Sequence, residues 1–213
     1  MVSVSVTVAA TSDLGCERLT SLSACVRVPA YSGTRIRADH ERGHIMSDLR
    51  TDRLRVAQVG FLDADTQRLV EQVQAEYVVL YGGPDTSPIE DGVFDPPRGA
   101  FFLGYLGDEP VAMGGWRLRP DVHVLGASGA AEIKRMYVAP GARRRGHGNA
   151  LLAYLERTAR AAGADVMVLE TGTEQPAAIR MYVEAGYELT ENWGHYAWSP
   201  KSRCFGKRLA SWR

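Results

Sequence analysis

The chain has 213 residues, enough for one domain with a buried core and short for two. Its 45% hydrophobic and 23% charged content is ordinary for a globular protein, and 25 Lys+Arg balance 25 Asp+Glu, so no global field draws it to nucleic acid or to an anionic membrane. No window approaches 18 apolar residues, and Cys16, Cys25 and Cys204 are too few and too scattered for a disulfide framework or a zinc cage.

Residues 1–45 are Ser- and Thr-rich with no sustained helical period. They read as an N-terminal extension, flexible or outside the native product, ahead of a domain over 46–213; Met46 is an alternative start of translation. The opening residues alternate Val with Ser and Thr and lack a basic n-region, which argues against a signal peptide. A cytoplasmic protein is therefore expected, and the preference for Arg over Lys suggests bacterial, high-GC coding. His40-Glu41-Arg42-Gly43-His44 fits H-E-x-x-H, a helix spacing that puts two imidazoles on one metal. Here Gly43 interrupts the motif and no clear third ligand follows, so it reads as coincidence and no metal is expected.

A first strand is predicted over 53–59 and a helix over 63–81, with Asp63 or Asp65 as cap and Leu69, Val70, Val73, Tyr77 and Leu80 on its apolar side. Gly82-Gly83-Pro84 ends it, and the Pro- and Gly-rich stretch to 99 leaves room for at most a short helix around Ile89. Residues 100–106 and 109–118 read as a hairpin and 131–138 as the central strand. Helices follow over 149–162 and 175–185, strands over 165–171, 187–191 and 203–209.

After the central strand, Ala139-Pro140-Gly141 breaks the ladder and Arg143 to Gly148 reads R-x-x-G-x-G at a helix start. Helix-terminal N–H groups, the macrodipole and glycine access make such a turn an anion site. This strand, loop and helix, followed by V-M-V-L-E-T-G at 166–172 and Q-P-A-A-I-R-M-Y-V-E-A-G at 175–186, resembles the GNAT N-acetyltransferase superfamily. The resemblance covers nearly all of 46–213. It implies an α/β chain with the GNAT acyl-CoA N-acyltransferase fold, a central mixed, mostly antiparallel sheet flanked by helices.

The resemblance also implies the site. Arg143, Arg144, Arg145, Gly146, His147, Gly148 and Asn149 would cradle the pyrophosphate of acetyl-CoA, His147 through its backbone N–H rather than its ring. Met136, Tyr137 and Val138 would meet pantetheine like an added strand, with a β-bulge turning one N–H, of Tyr137 or Val138, toward the thioester oxygen. Gln175 stands where many members have Asn, one methylene shorter, against the pantetheine arm. Tyr182 matches the tyrosine of A-x-x-x-Y and would protonate the leaving thiolate, the alternative being a packing tyrosine. Glu132, a carboxylate in an apolar strand, is the candidate base, its pKa raised by burial; the alternative is a salt bridge with Lys134 or Arg135. Tyr81, Asp85, His195 and Tyr196 fall where the family's acceptor cleft is walled. The expectation is an acetyl-CoA-dependent N-acetyltransferase acting on a small-molecule amine by direct attack, possible as a homodimer, with no nucleic acid or membrane partner. Alternatives are protein or peptide N-acetylation and a non-catalytic acyl-CoA sensor.

Overall fold

The structure is a computed structural model that describes residues 53–127 and 129–209. The readings of residues 1–45, the H-E-x-x-H run included, lie outside the described residues. Among the described residues the order is β1 (Arg55–Val59), α1 (Ala64–Tyr81), β2 (Gly99–Leu106), β3 (Glu109–Arg119), β4 (Ala130–Val138), a 3₁₀ turn (Pro140–Ala142), α2 (His147–Ala161), β5 (Val166–Gly172), α3 (Pro176–Glu184), β6 (Glu188–Thr190) and β7 (Ser202–Arg208). The predicted elements are all present, with ends that move by one or two residues. Residues 84–98 form turns and carry no helix near Ile89, since Pro and Gly there break any i→i+4 ladder.

The strands form one mixed sheet in the order β1-β2-β3-β4-β5-β7-β6. Only β4 and β5 run parallel, joined by the α2 crossover that such a pair requires. Alternation along the strands separates two faces. Phe102, Ala112, Ile133, Met167 and Leu169 pack against Leu151, Leu152 and Leu155 of α2 and Tyr182 of α3. Phe101, Leu103, Met113 and Tyr137 point the other way, onto Leu69 and Val73 of α1.

Helix ends follow local chemistry. Asp63 caps α1 by accepting the Asp65 N–H at 2.9 Å, and Gly82, with φ of 80°, closes it with an N–H to Val78 at 3.0 Å. α2 starts without any side-chain cap.

Leu155 is fully buried in the α2–sheet layer. Leu155→Ala is expected to lower stability by about 2–5 kcal/mol, read from urea unfolding, because it leaves a cavity between α2 and the sheet.

Candidate active site

β4 and β5 pair over three residues only: Ala130, Ala131 and Glu132 against Val166, Met167 and Val168. Beyond them β4 continues to Val138 and β5 to Gly172 with no ladder between them. Ile133, Lys134 and Met136 from one strand and Leu169, Glu170 and Gly172 from the other line a cavity of about 430 Å³. Backbone groups along such a gap need partners, which an extended ligand lying in it as a strand supplies.

On its other edge β4 slips register against β3. Met113 faces Tyr137 and Gly115 faces Lys134, so Gly114 alone spans Arg135 and Met136. The implied bulge therefore falls at Arg135–Met136, and Tyr137 and Val138 stay in register with Met113 and Ala112. Arg135 takes a φ of 55°, a left-handed conformation that costs a non-glycine residue about 1–3 kcal/mol. Neighbours on a regular strand face opposite ways; here the bulge brings both Lys134 and Arg135 to the cavity wall.

The turn that follows has the open donors that an anion site uses. Gly146 is the N-cap of α2 in the left-handed region at φ 80°, without a side chain to satisfy the first-turn N–H groups. Arg144, Arg145, Gly146 and Asn149 are exposed, and an added Cβ on Gly148 would come within 2.9 Å of the Met181 sulfur, so α3 packs tightly on this first turn. Arg143, also exposed, is paired with the fold: its Nε donates to the Val138 carbonyl at 2.7 Å and its Nη2 to Glu76 at 2.5 Å. It secures the turn to β4 and α1. The His147 ring is buried and its Nε2 has no partner among the described residues; burial and then the Arg145 charge lower its pKa.

Tyr182 lines the cavity, almost wholly buried, and its hydroxyl donates to the Met136 sulfur at 3.7 Å. Burial drives its pKa well up, so the phenol keeps its proton at any physiological pH. Gln175 also lines the cavity, and its Nε2 donates to the Tyr81 hydroxyl at 3.0 Å.

Glu132 differs from expectation. Its carboxylate is 1% exposed and accepts from Arg117 Nε at 2.7 Å and Arg119 Nη1 at 2.6 Å, with Lys134 Nζ at 3.0 Å. Burial alone would raise its pKa, but the three cations outweigh it and the pKa is lowered. It stands behind the cavity wall rather than in it. The salt bridge to Lys134 is present; Arg135 pairs elsewhere.

Glu170 has the properties sought in Glu132. It lines the cavity on β5, one residue past Leu169, and accepts from Ser202 Oγ at 2.6 Å. Its pKa is raised by burial in spite of that hydrogen bond and of Lys134. The sequence carries this acid in V-M-V-L-E-T-G, where it is a polar break in an apolar strand.

The rim joins residues far apart in sequence. Tyr196 donates to Asp85 at 2.9 Å and accepts the Thr86 N–H at 2.8 Å, which ties the loop after α1 to the loop before β7. Asp85 is also held by Arg135 Nη1, Ser87 N–H and Ser87 Oγ; burial works against its charge, but Arg135 and Ser87 prevail and its pKa is lowered. Tyr81, Asp85 and Tyr196 thus meet at the cavity, whereas His195 is exposed and stacks edge-on against Tyr196 with ring centroids 4.6 Å apart. The Arg135 side chain is 7% exposed, and its Nε is buried with no partner among the described residues. Leaving such a donor unpaired costs about 1–3 kcal/mol. Among the described residues no group of three or more His, Cys, Asp or Glu could hold a metal ion.

A parallel pair that parts just ahead of a bulge, beside an uncapped glycine turn, matches what the resemblance implies for an acyl-CoA N-acyltransferase fold. The sequence model of the acetyltransferase (GNAT) family matches residues 66–187, more than half of the chain. The chain belongs to the GNAT family of acetyltransferases. An IAA acetyltransferase of Azospirillum brasilense is 40% identical over 81 residues, which are 38% of this chain and 53% of that protein. The chain spans about half the length of this curated relative. Among solved structures, a Klebsiella pneumoniae protein assigned to the acyl-CoA N-acyltransferases is 27% identical, with TM-score 0.62 over 75% of this chain and 99% of that one. The PaiA N-acetyltransferase of Thermoplasma acidophilum, solved with coenzyme A, shares the fold at 11% identity, with TM-score 0.54 over 73% and 99% of the two chains.

Glu132→Gln is expected to destabilise the protein by about 3–5 kcal/mol at neutral pH, because Arg117, Lys134 and Arg119 lose the Glu132 charge, Arg119 keeping Asp121. The lowered folded pKa makes this contribution present above the ordinary carboxylate range and lost as pH falls through the folded value. Denaturant unfolding of wild type and variant should therefore converge at acid pH.

Proposed function

We propose that the protein is an acetyl-CoA-dependent N-acetyltransferase whose acceptor is the amine of a small molecule. The observation that carries this reading is the junction of two features. The unpaired stretch of β4 and β5 leads, through residues 139–146, to the uncapped N-terminus of α2. An extended thioester arm fits the first and its pyrophosphate the second. Support for a small acceptor comes from the rim, where the hydrogen bonds of Tyr196 to Asp85 and Thr86 bridge the two loops that would otherwise flank an open peptide groove.

The proposed chemistry is direct attack. The acceptor nitrogen bonds to the thioester carbonyl carbon, the C–S bond breaks, and the acetyl group moves to nitrogen. An N–H beside the β4 bulge steadies the oxygen as charge develops on it. Tyr182, whose hydroxyl lines the cavity with its proton in place, gives that proton to the departing thiolate. The amine's proton goes to Glu170, whose raised pKa suits it to the task better than the ion-paired Glu132. Glu132 acts here as a positioning residue, holding Lys134 at the wall.

Three measurements test the reading. Gly146→Asp and Gly146→Asn share the backbone conformation problem, but only Asp sets a charge against the pyrophosphate; calorimetry is expected to show acetyl-CoA affinity at least about tenfold weaker for Asp than for Asn. Equal affinities would remove the phosphate assignment. Tyr182→Phe keeps the ring's packing and is expected to lower kcat by about 10²–10⁴-fold with acetyl-CoA binding intact. Glu170→Gln is expected to lower kcat/KM and to abolish the acid limb of the pH–rate profile, which in wild type falls as Glu170 is protonated above the ordinary carboxylate range. An unchanged acid limb in the variant would assign the proton elsewhere.

A further inference from the structure

The charges lining the cavity are unlike those expected for a plain amine. Two carboxylates, Asp85 and Glu170, meet three cations, Lys134, Arg135 and Lys201. The cations are incompletely matched. Lys134 shares the charge of Glu132 with Arg117 and with Arg119, which also pairs with Asp121, and it acts on Glu170 across the cavity. Lys201 has only a 3.5 Å pairing with Glu174 near the surface. Arg135 engages Asp85 through Nη1 and leaves Nε buried without a partner, although its side chain is 93% buried by its 7% exposure. A simple amine, positive at neutral pH, would meet this wall as a like charge.

The placement of these groups is as telling as their number. Lys134 and Arg135 are consecutive and share the β4 wall because of the bulge, where Arg135 holds its φ of 55°. Glu170 stands on the β5 wall, held by Ser202. One side of the slot thus offers N–H donors with positive charge, and the other offers a carboxylate.

We propose, on the basis of the acetyltransfer reading above, that the acceptor is a zwitterionic aminocarboxylate, an amino acid with a free carboxylate. Its ammonium docks at Glu170, the group that receives its proton. Its carboxylate docks against the cationic β4 wall, where the adjacent Lys134 and Arg135 both line the cavity and Arg135 Nε is a donor without a partner among the described residues. Asp85 keeps the Arg135 guanidinium oriented and Tyr196 keeps Asp85 in place. The bulge then orients the acceptor as well as the thioester.

The test compares free amino acids with their own carboxamides as acceptors, following thiol release from acetyl-CoA. Amidation leaves the amine in place, removes the carboxylate and makes the amine less basic, so intrinsic reactivity at neutral pH favours the amide. The expected result is a kcat/KM at least about tenfold higher for the acid of each accepted pair. Arg135→Lys keeps a charge and loses the guanidinium, and is expected to raise KM for the acid by a larger factor than for its amide and so shrink the preference. Its acetyl-CoA affinity, measured by calorimetry, reports whether it is folded, and Lys134→Gln is the second variant. Amides accepted as well as acids by the wild type would overturn the inference, as would a preference untouched in both variants. Acetyl-CoA binding with turnover of simple amines but of no amino acid would overturn it and leave the acetyltransferase reading standing. Failure to bind acetyl-CoA would overturn both.

Discussion

The site exists because two neighbouring strands stop pairing. Glu132 opposite Val168 is the last rung between β4 and β5, and every residue beyond it on either strand has a free edge. The geometry is held from below. Glu132 gathers Arg117 and Arg119 of β3 and Lys134 of its own strand, so the point where the ladder ends is the point where the charges are most densely paired. Buried ion clusters contribute little net stability against an apolar alternative, but they fix register and orientation. Here the register fixed is that of a strand about to part from its neighbour and to bulge against the other.

That bulge sets the polarity of the cavity. One additional residue in β4 breaks the alternation that would send Lys134 and Arg135 to opposite faces. Its cost is a left-handed arginine and a buried Nε. Such local strain persists where surrounding contacts over-determine it, and Asp85, tied down by Ser87 and Tyr196, supplies those contacts from two other parts of the chain.

What was legible in the sequence was local. Apolar periodicity placed α1, α2 and the strands, the Gly-bearing turn marked the α2 N-terminus, and the match to A-x-x-x-Y singled out Tyr182, which is buried on α3. What was hidden depends on partners distant along the chain. Arg117 and Arg119 come from β3 and turn Glu132 from a group raised by burial into one lowered by charge. Arg143 reads as a phosphate ligand until α1 presents Glu76 to it. Glu170 carries no periodic signature; its chemistry appears only when β7 brings Ser202 alongside and β4 moves away.

The hydrogen bond from Gln175 to Tyr81 links the start of α3 to the end of α1 across 94 positions of sequence. There is no slack around it, since a Cβ on Gly172 would fall 2.0 Å from the Tyr81 hydroxyl. A molecule that draws the Gln175 Nε2 away breaks that bond, worth about 0.5–1.5 kcal/mol, and thereby alters the wall that a second molecule meets at Tyr81. Linkage makes such an effect mutual: whatever occupancy on the α3 side does to affinity at the α1 side is returned in equal measure. The two ends of the cavity are not independent compartments, since one side-chain amide joins their walls.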